Sequence, residues 1–434
     1  MLPTSLFPRT ARVSRKNHLM LGGCDSVELA REFGTPLYVF DEATLRGKCV
    51  EYREEFARRY PNSLVVYAAK AFINRALAQL FREEGLGLDV VSGGEFTIAR
   101  SVDFPMEKVY FHGNNKSKGE LELAAEWGVG RVVVDNLFEL SLLDGVAKEL
   151  GVRQDILLRI SPGVDPHTHA HITTGIVDSK FGFLMAQAEA AVAQALASTN
   201  LNLVGLHFHL GSQLFELDPY VQAIDICFRF AADMKKKHGF RFQEFSPGGG
   251  LGIAYNKDAS PPAVAELAQV ISFAVMSKSK ELGLALPRLV VEPGRSIVGQ
   301  AGVALYTVGA TKDIPGVRKY VSVDGGMADN IRPALYGSQY RAVVANKVAG
   351  GDLEKVTIAG KLCESGDVLI RDIDLPRLES GDIIAVPCAG AYCLSMASNY
   401  NSSLKPPIVM VKNGKARLIR RHQSYEDLMS HDLV

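Results

Sequence analysis

The run Ser63-Leu-Val-Val-Tyr-Ala-Ala-Lys70 (SLVVYAAK, 63–70) sets the frame in which the rest of the chain is read. It is short, rich in β-branched and aromatic residues, and it ends on a lysine. A parallel strand buried on both faces reads as a continuous apolar run of this kind rather than as an alternation. Seven similar runs follow: LGLDVVSGG (86–94), KVYFHG (108–113), RVVVDN (131–136), DILLRIS (155–161), LVGLHFHLG (203–211), EFSPGGG (244–250) and LVVEPGR (289–295). Amphipathic helical patterns lie between them, among them INRALAQLFREEG (73–85) and NLFELSLLDGVAKELG (136–151). Strand–helix alternation repeated eight times predicts a parallel sheet closed into a (β/α)8 barrel over residues 36–300. An open doubly wound sheet is the competing topology; eight units at this spacing favour closure.

After residue 300 the texture changes. KYVSVDGGM (319–327), EKVTIAGKL (354–362), DIIAVPCAG (382–390) and PIVMVKNGKARLI (407–419) read as short strands separated by Gly, Asp and Pro turns. The fold class is therefore α/β plus all-β: a barrel followed by a β-sandwich or barrel-like domain over 301–434, which the N-terminal segment 1–35 joins. A chain of 434 residues is long enough for two such domains. Lys plus Arg and Asp plus Glu both number 48, so no net charge argues for nucleic acid or an anionic membrane as partner. No apolar run reaches bilayer length, and the basic N-terminus lacks a continuous apolar core, so a cytoplasmic enzyme is expected. Cys24, Cys49, Cys227, Cys363, Cys388 and Cys393 show neither metal-ligand pairing nor a disulfide framework.

A barrel of this kind carries its chemistry at the C-terminal ends of its strands. Those positions hold Lys70, Asp89, His112, Asp135, Arg159, His209, the Gly248-Gly249-Gly250 run, and Glu292 with Arg295. Each has a plainer reading. A lysine ending a strand is commonly solvated, a glycine turn is common, and His209 could be a hydrogen-bonded barrel residue. Glu292 before Pro-Gly could cap the next helix. On one rim, however, they make up the parts of a site for pyridoxal 5′-phosphate (PLP). An amine attacks the aldehyde, glycines let backbone N–H groups reach a phosphate, a carboxylate keeps the pyridine nitrogen protonated, and an imidazole packs on the ring. Two other clusters stand apart. His167, His169 and His171 alternate in a loop after SPGVDP, and no metal site is expected there. Lys235-Lys236-Lys237-His238 ends a helix and complements its dipole.

At these residues the chain resembles the diaminopimelate decarboxylases, within the alanine-racemase-like (fold type III) PLP enzymes. The resemblance runs from FGTPLYVFDEATL (33–45) to MASNYNS (396–402). It rests on YAAKA (67–71), DVVSGGE (89–95), FHGNNKS (111–117), SKFGF (179–183), HFHLGSQ (207–213), PGGGLG (247–252), EPGR (292–295), IRPALY (331–336), CESGD (363–367) and GAY (390–392). One departure is YAAKAFIN, where the family usually has asparagine directly after KA; Asn74 stands further on and is assigned no role. HFHLG for the commoner HCHIG reads as a change of packing only.

The resemblance implies that Lys70 is the Schiff-base lysine and that His209 lies on the cofactor ring. Ser212, Gly248, Gly249, Gly250 and Tyr392 would hold the phosphate, with Gly294 and Arg295 beside the cofactor and Glu292 on the pyridine nitrogen. Arg295, Arg332, Tyr336 and Tyr392 would bind the substrate, Glu364 its distal ammonium, and Cys363 would be the proton donor. The CESGD loop would reach a neighbouring barrel, so the site would form in a homodimer. A carboxylate on the pyridine nitrogen favours decarboxylation over racemisation, for which alanine racemase uses an arginine. Glu364 in place of the aspartate of ornithine-type enzymes suits a substrate end with both ammonium and carboxylate. The implied reaction converts meso-2,6-diaminopimelate to L-lysine and CO2. The alternatives are a related decarboxylase of another basic or carrier-linked amino acid, and a non-catalytic PLP-binding protein.

Overall fold

The computed structural model describes residues 2–165 and 179–434, so the histidines at 167, 169 and 171 lie outside the described residues. The chain divides into two units: Met1–Lys48, Ile253–Ser260 and Arg295–Val434 in one, and Cys49–Gly252 with Pro261–Gly294 in the other.

The second of these is a closed barrel. Its strands are β1 (Ser63–Ala68), β2 (Gly87–Val90), β3 (Val109–Phe111), β4 (Arg131–Val134), β5 (Gln154–Ser161), β6 (Leu201–His207), β7 (Glu244–Ser246) and β8 (Arg288–Val291). Each pairs in parallel with the next, and β8 pairs with β1 through Leu289↔Ser63 to Val291↔Val65, which closes the ring. All eight expected strands form, and the open-sheet alternative is excluded. The inward layer is Leu64, Val66, Tyr110, Val133, Leu157, Val204 and Val290, all buried. Towards the strand starts, Arg131 bridges Glu244 (3.1 Å) and Asp155 (2.9 Å), and Tyr110 donates to Glu244 at 2.9 Å. Charge is thus neutralised at the end away from the chemistry. Short turns after the strands lead into helices capped by Asn74, Ser92, Ser117 and Asn136, whose side chains accept otherwise orphaned N–H groups. Asn74, unassigned from sequence, caps Arg75–Glu83 by accepting from Leu77 N at 2.9 Å.

The other unit is built on a sheet in the order Val368–Pro376, Leu353–Ala359, Arg318–Val323, Gly302–Ile314, Leu37–Asp41, Ile408–Lys412, Lys415–Arg420. Its core joins Leu6, Phe7, Leu19 and Leu21 of the N-terminal segment to Val303, Leu305, Val409 and Val411. The divisions fall at 48/49 and 294/295 where the sequence reading puts them at 35/36 and 300/301. Leu37–Asp41 lies between Gly302–Ile314 and Ile408–Lys412 as a sheet strand. The helical turn Arg295–Val298 sits so tightly in this unit that a Cβ on Gly390 would fall 1.9 Å from the Val298 carbonyl oxygen.

Candidate active site

The C-terminal mouth of the barrel gathers Lys70, Asp89, His112, His209, Glu292 and the Gly248–Gly250 turn. Lys70 follows β1 in the single 3-10 turn Ala69–Ala71, its neighbours buried and its own side chain exposed. Its positive charge is felt at Asp89, Glu95, His112, His207 and His209, so the amine faces the rim residues of β2, β3 and β6.

Glu292 stands at the end of β8 and is 5 % exposed. Ser246 Oγ donates to its Oε1 at 2.7 Å, and His207 Nε2 lies 3.1 Å from its Oε2. His112 Nε2 is 3.6 Å from Glu292 Oε1 and 3.7 Å from Asp89 Oδ1. Burial alone would raise the Glu292 carboxyl; the imidazoles of His207 and His112 and the hydrogen bonds from His207 and Ser246 instead hold it below the usual range. Asp89 moves the other way, raised by burial and by the Glu292 charge against the pull of Lys70 and Arg159. Two neighbouring carboxyls are thus driven in opposite directions, Glu292 towards its charged form and Asp89 towards its protonated one. His112, His207 and Glu292 lie within 4.8 Å of one another, a spacing that could also suit a cation. Hydrogen bonds from Ser246 and His207 already occupy both Glu292 oxygens, and a carboxylate cradle accounts for the arrangement.

The glycine turn after β7 is sterically obligatory. Gly248 has φ +71°, and a Cβ there would meet Phe208 O at 2.7 Å; Gly250 has φ +116°, and its Cβ would meet Gly211 O at 2.6 Å. A Cβ on Gly249 would lie 2.0 Å from Glu292 O. Gly249 N donates to His209 Nδ1 at 3.4 Å, and Tyr220 OH donates to Gly249 O at 2.7 Å. Gly294 lets the chain after Glu292 pass β1, since its Cβ would lie 3.1 Å from that of Ala68. His209 lies just past β6, half-buried. Burial and the charges of Lys70 and Arg159 keep its imidazole neutral. Ser212 is exposed three residues further on.

These residues fit PLP. An exposed amine, a buried ionised carboxylate, a neutral imidazole and a backbone cradle with no room for side chains share one rim. His112 Nε2 and Asp89 Oδ1, both buried, have no hydrogen-bond partner among the described residues.

The remaining expected residues belong to the β-unit, where they form two groups. In the first, Arg295 Nη1 donates to Tyr255 OH at 2.7 Å, and the Arg295 guanidinium lies 4.6 Å from the Tyr392 ring centroid. Arg332 lies 5.7 Å from the Tyr392 ring, 5.4 Å from that of Tyr336 and 6.0 Å from that of Tyr255. Both arginines are buried, and Arg332 Nε has no partner among the described residues. Two caged arginines present planar donor forks of the kind that suit a carboxylate. Tyr392 holds φ +60°, unusual for a bulky residue, between fully buried Ala391 and Cys393.

The second group is the CESGD loop. Asp367, 2 % exposed, accepts from Leu362 N (2.9 Å) and Met327 N (2.6 Å) and so buckles the loop from within. Cys363 and Glu364 are left exposed. Cys363 N donates to Asn401 Oδ1 at 2.8 Å. Cys363 borders a cavity of about 680 Å³ lined also by Asp324, Asp329, Lys361, Asn401 and His422, with neither Arg295 nor Arg332 in its wall. Asp89 and His112 stand on the rim as the strand ends predict, although the sequence assigns them no role. His207, Ser246 and Tyr255 are not marked as site residues by sequence reasoning. The alternation of His207 with His209 along β6 is the available signal for the first of them.

Comparison with known proteins places the chain in a family. Residues 43–299 match the family model of the pyridoxal-dependent decarboxylases, pyridoxal binding domain. The diaminopimelate decarboxylase of Bacillus subtilis is 47% identical over 98% of this chain and 97% of its own length. That of Synechocystis is 43% identical over 99% of this chain and 93% of its own. The crystal structure of the M. jannaschii diaminopimelate decarboxylase, also solved with L-lysine, superposes with a TM-score of 0.93 at 38% identity over 98% of both chains. A Vibrio vulnificus lysine/ornithine decarboxylase, 21% identical over 93% of this chain and 100% of its own with a TM-score of 0.76, shares the fold. The chain thus belongs to the diaminopimelate decarboxylases, PLP-dependent carboxy-lyases built from a (β/α)8 barrel and a β-domain.

Proposed function

We propose that Lys70, His209, Ser212, Glu292, Gly294 and the Gly248–Gly250 turn hold PLP while Arg295, Arg332, Tyr336, Tyr392, Glu364 and Cys363 handle the substrate. On this reading the chain performs its family's reaction, meso-2,6-diaminopimelate to L-lysine and CO2, the last step of lysine biosynthesis. When bound, PLP supplies the sink for the electron pair left on Cα as CO2 departs. Lys70 would take the aldehyde carbon, and the glycine turn and Ser212 the phosphate. Glu292 would hold a proton on the pyridine nitrogen, and neutral His209 would cover the ring face.

At the substrate, Arg295 and Arg332 would grip the distal carboxylate as two planar forks, and Glu364 the distal ammonium. Cys363 Sγ would deliver a proton to Cα, a step general acids accelerate by about 10²–10⁴-fold. The exposure of Cys363 and Glu364 beside a polar cavity suits a loop that serves a second copy's barrel, so we take the active form to be a homodimer. Six free cysteines suit a reducing compartment, and no described helix is long and apolar enough to cross a membrane. We place the enzyme in the cytoplasm.

The single observation that carries the assignment is Glu292, ionised, buried and gripped on the same rim as Lys70. The test is CO2 release from meso-diaminopimelate, ornithine, arginine and lysine, with Lys70→Ala as control. Turnover of meso-diaminopimelate alone, abolished in the control together with the bound-cofactor absorbance, is the expected result. Comparable turnover of ornithine or arginine, or an active control, would overturn it.

A further inference from the structure

At the buried end of the barrel site, directed hydrogen bonds converge on the Glu292 carboxylate. We propose that His207 and Ser246 are positioning residues that clamp the Glu292 carboxylate, one oxygen each, so that it faces the pyridine nitrogen only as an acceptor. The inference rests on the role given to Glu292 above.

Ser246 has one hydrogen to give, and its direction is set. Gly248 N donates to Ser246 Oγ at 3.1 Å, which occupies the acceptor side, and the hydroxyl proton goes to Glu292 Oε1 at 2.7 Å. Glu292 N in turn donates to Gly248 O at 3.0 Å. One hydroxyl therefore links the glycine turn to the carboxylate at the opposite end of the cradle. On the other oxygen, His207 Nε2 sits 3.1 Å from Oε2. Only the tautomer with hydrogen on Nε2 is compatible with a carboxylate at that distance, because two lone pairs would repel. His207 Nδ1 is buried without a partner among the described residues, and burial, outweighing the Glu292 charge, pulls the ring towards its neutral form.

A neutral donor is what the role calls for. An imidazolium at His207 would satisfy the Glu292 charge and leave little attraction for a pyridinium, whereas a neutral N–H orients the carboxylate and leaves its charge in place. The other polar groups facing Glu292 are Asp89 from β2, His112 from β3 and Arg159 from β5, with Lys70 and His209 nearer the mouth. Asp89 Oδ1 has no hydrogen-bond partner among the described residues, and His112 Nε2 stands off at 3.6 Å. Among the described residues, His207 and Ser246 are thus the two groups in bonding contact with the carboxylate. Ser246 lies two residues, one strand period, from Glu244 on β7, and His207 is the last residue of β6.

The test is the PLP dissociation constant of the full chain, dialysed to equilibrium against a series of free PLP concentrations and scored by bound-cofactor absorbance. Glu292→Gln and His207→Leu should each weaken binding about tenfold or more, the loss expected for a charge-assisted hydrogen bond. His207→Gln keeps an N–H at similar reach and should stay within about threefold of the parent. The double variant His207→Leu/Glu292→Gln should bind like Glu292→Gln alone, because His207 acts through that carboxylate. Ser246→Ala, nearly isosteric, should weaken binding by the loss of a single hydrogen bond, and it decides the matter if His207→Leu fails to fold. Unchanged binding in both His207→Leu and Ser246→Ala would overturn the proposal while leaving Glu292 in its role. So would a double variant whose losses simply add, or binding in His207→Gln as weak as in His207→Leu. Unchanged binding in Glu292→Gln would overturn the assignment of Glu292 itself, and this inference with it.

Discussion

Replacing Lys116 by methionine should cost the barrel about 3–5 kcal/mol, the range for removing one partner of a buried ion pair. Lys116 is 4 % exposed, and all three of its ammonium protons are used: Glu139 Oε1 at 2.7 Å, Gly113 O at 2.8 Å and Val133 O at 2.8 Å. Those contacts tie the loop after β3 to β4 just behind the rim that carries His112 and Asp135. In the variant, Glu139, 1 % exposed, keeps one donor, Asp135 N at 3.2 Å. At about 2–4 °C per kcal/mol for a unit of this size, the barrel transition should fall by roughly 6–20 °C, followed by near-ultraviolet circular dichroism. Burial already raises Glu139 against the pull of Lys116, and without the ammonium it rises further. A carboxyl whose folded pKa exceeds its unfolded value keeps its stabilising effect at low pH and loses it as pH climbs. The deficit should therefore be larger at pH 8 than at pH 5. The double variant Lys116→Met/Glu139→Leu, an apolar pair, should recover most of the loss. A single variant within about 1 kcal/mol of the parent, a deficit independent of pH, or a double variant no better than the single would refute the reasoning.

Three further expectations concern the chemistry. Cys363→Ala should keep the absorbance of bound cofactor and lose about 10²–10⁴-fold in kcat, the contribution of a positioned general acid; stopped-flow and steady-state assays together separate the two. Gly249→Ala should fold yet fail to retain PLP, because its Cβ would sit 2.0 Å from the Glu292 carbonyl oxygen and push the cradle away from the carboxylate; cofactor content after gel filtration measures this. Arg332→Lys should raise KM about 10–100-fold with a smaller change in kcat, since an ammonium cannot reproduce a bidentate grip on the distal carboxylate.

The barrel was legible because buried parallel strands are written as contiguous apolar runs, and eight of them recur at near-regular spacing. Their ends were less so. SLVVYAAK continues two residues beyond the last paired position, Ala68, and LVGLHFHLG continues past His207. The rim residues Lys70 and His209 thus look like strand in sequence and sit in turns in space. His207 escapes notice because the HFH run reads as a packing difference, and nothing local marks which of two alternating histidines meets a carboxylate 85 residues away. PLYVF falls within the 36–300 span read as barrel; its pairing with Gly302–Ile314 and Ile408–Lys412 assigns it to the sheet unit. Tyr255 belongs to the same unit although barrel sequence surrounds it, and its contact with Arg295 follows from that long-range assignment.

The central position of Leu37–Asp41 also bears on how the protein is made. This five-residue strand, buried along its whole length, leaves the ribosome long before either neighbour, Gly302–Ile314 or Ile408–Lys412, exists. At roughly 5–20 residues per second, translation takes about 10–50 s to supply even the first of them. The barrel, complete by Gly294, can close during that interval. Until then Leu37–Asp41 is a sticky ribbon with both backbone edges open, and chaperone capture or pairing with a sister nascent chain competes with correct assembly. Slowing elongation between residues 42 and 302 should therefore lower the yield of soluble protein more than slowing it anywhere later in the message.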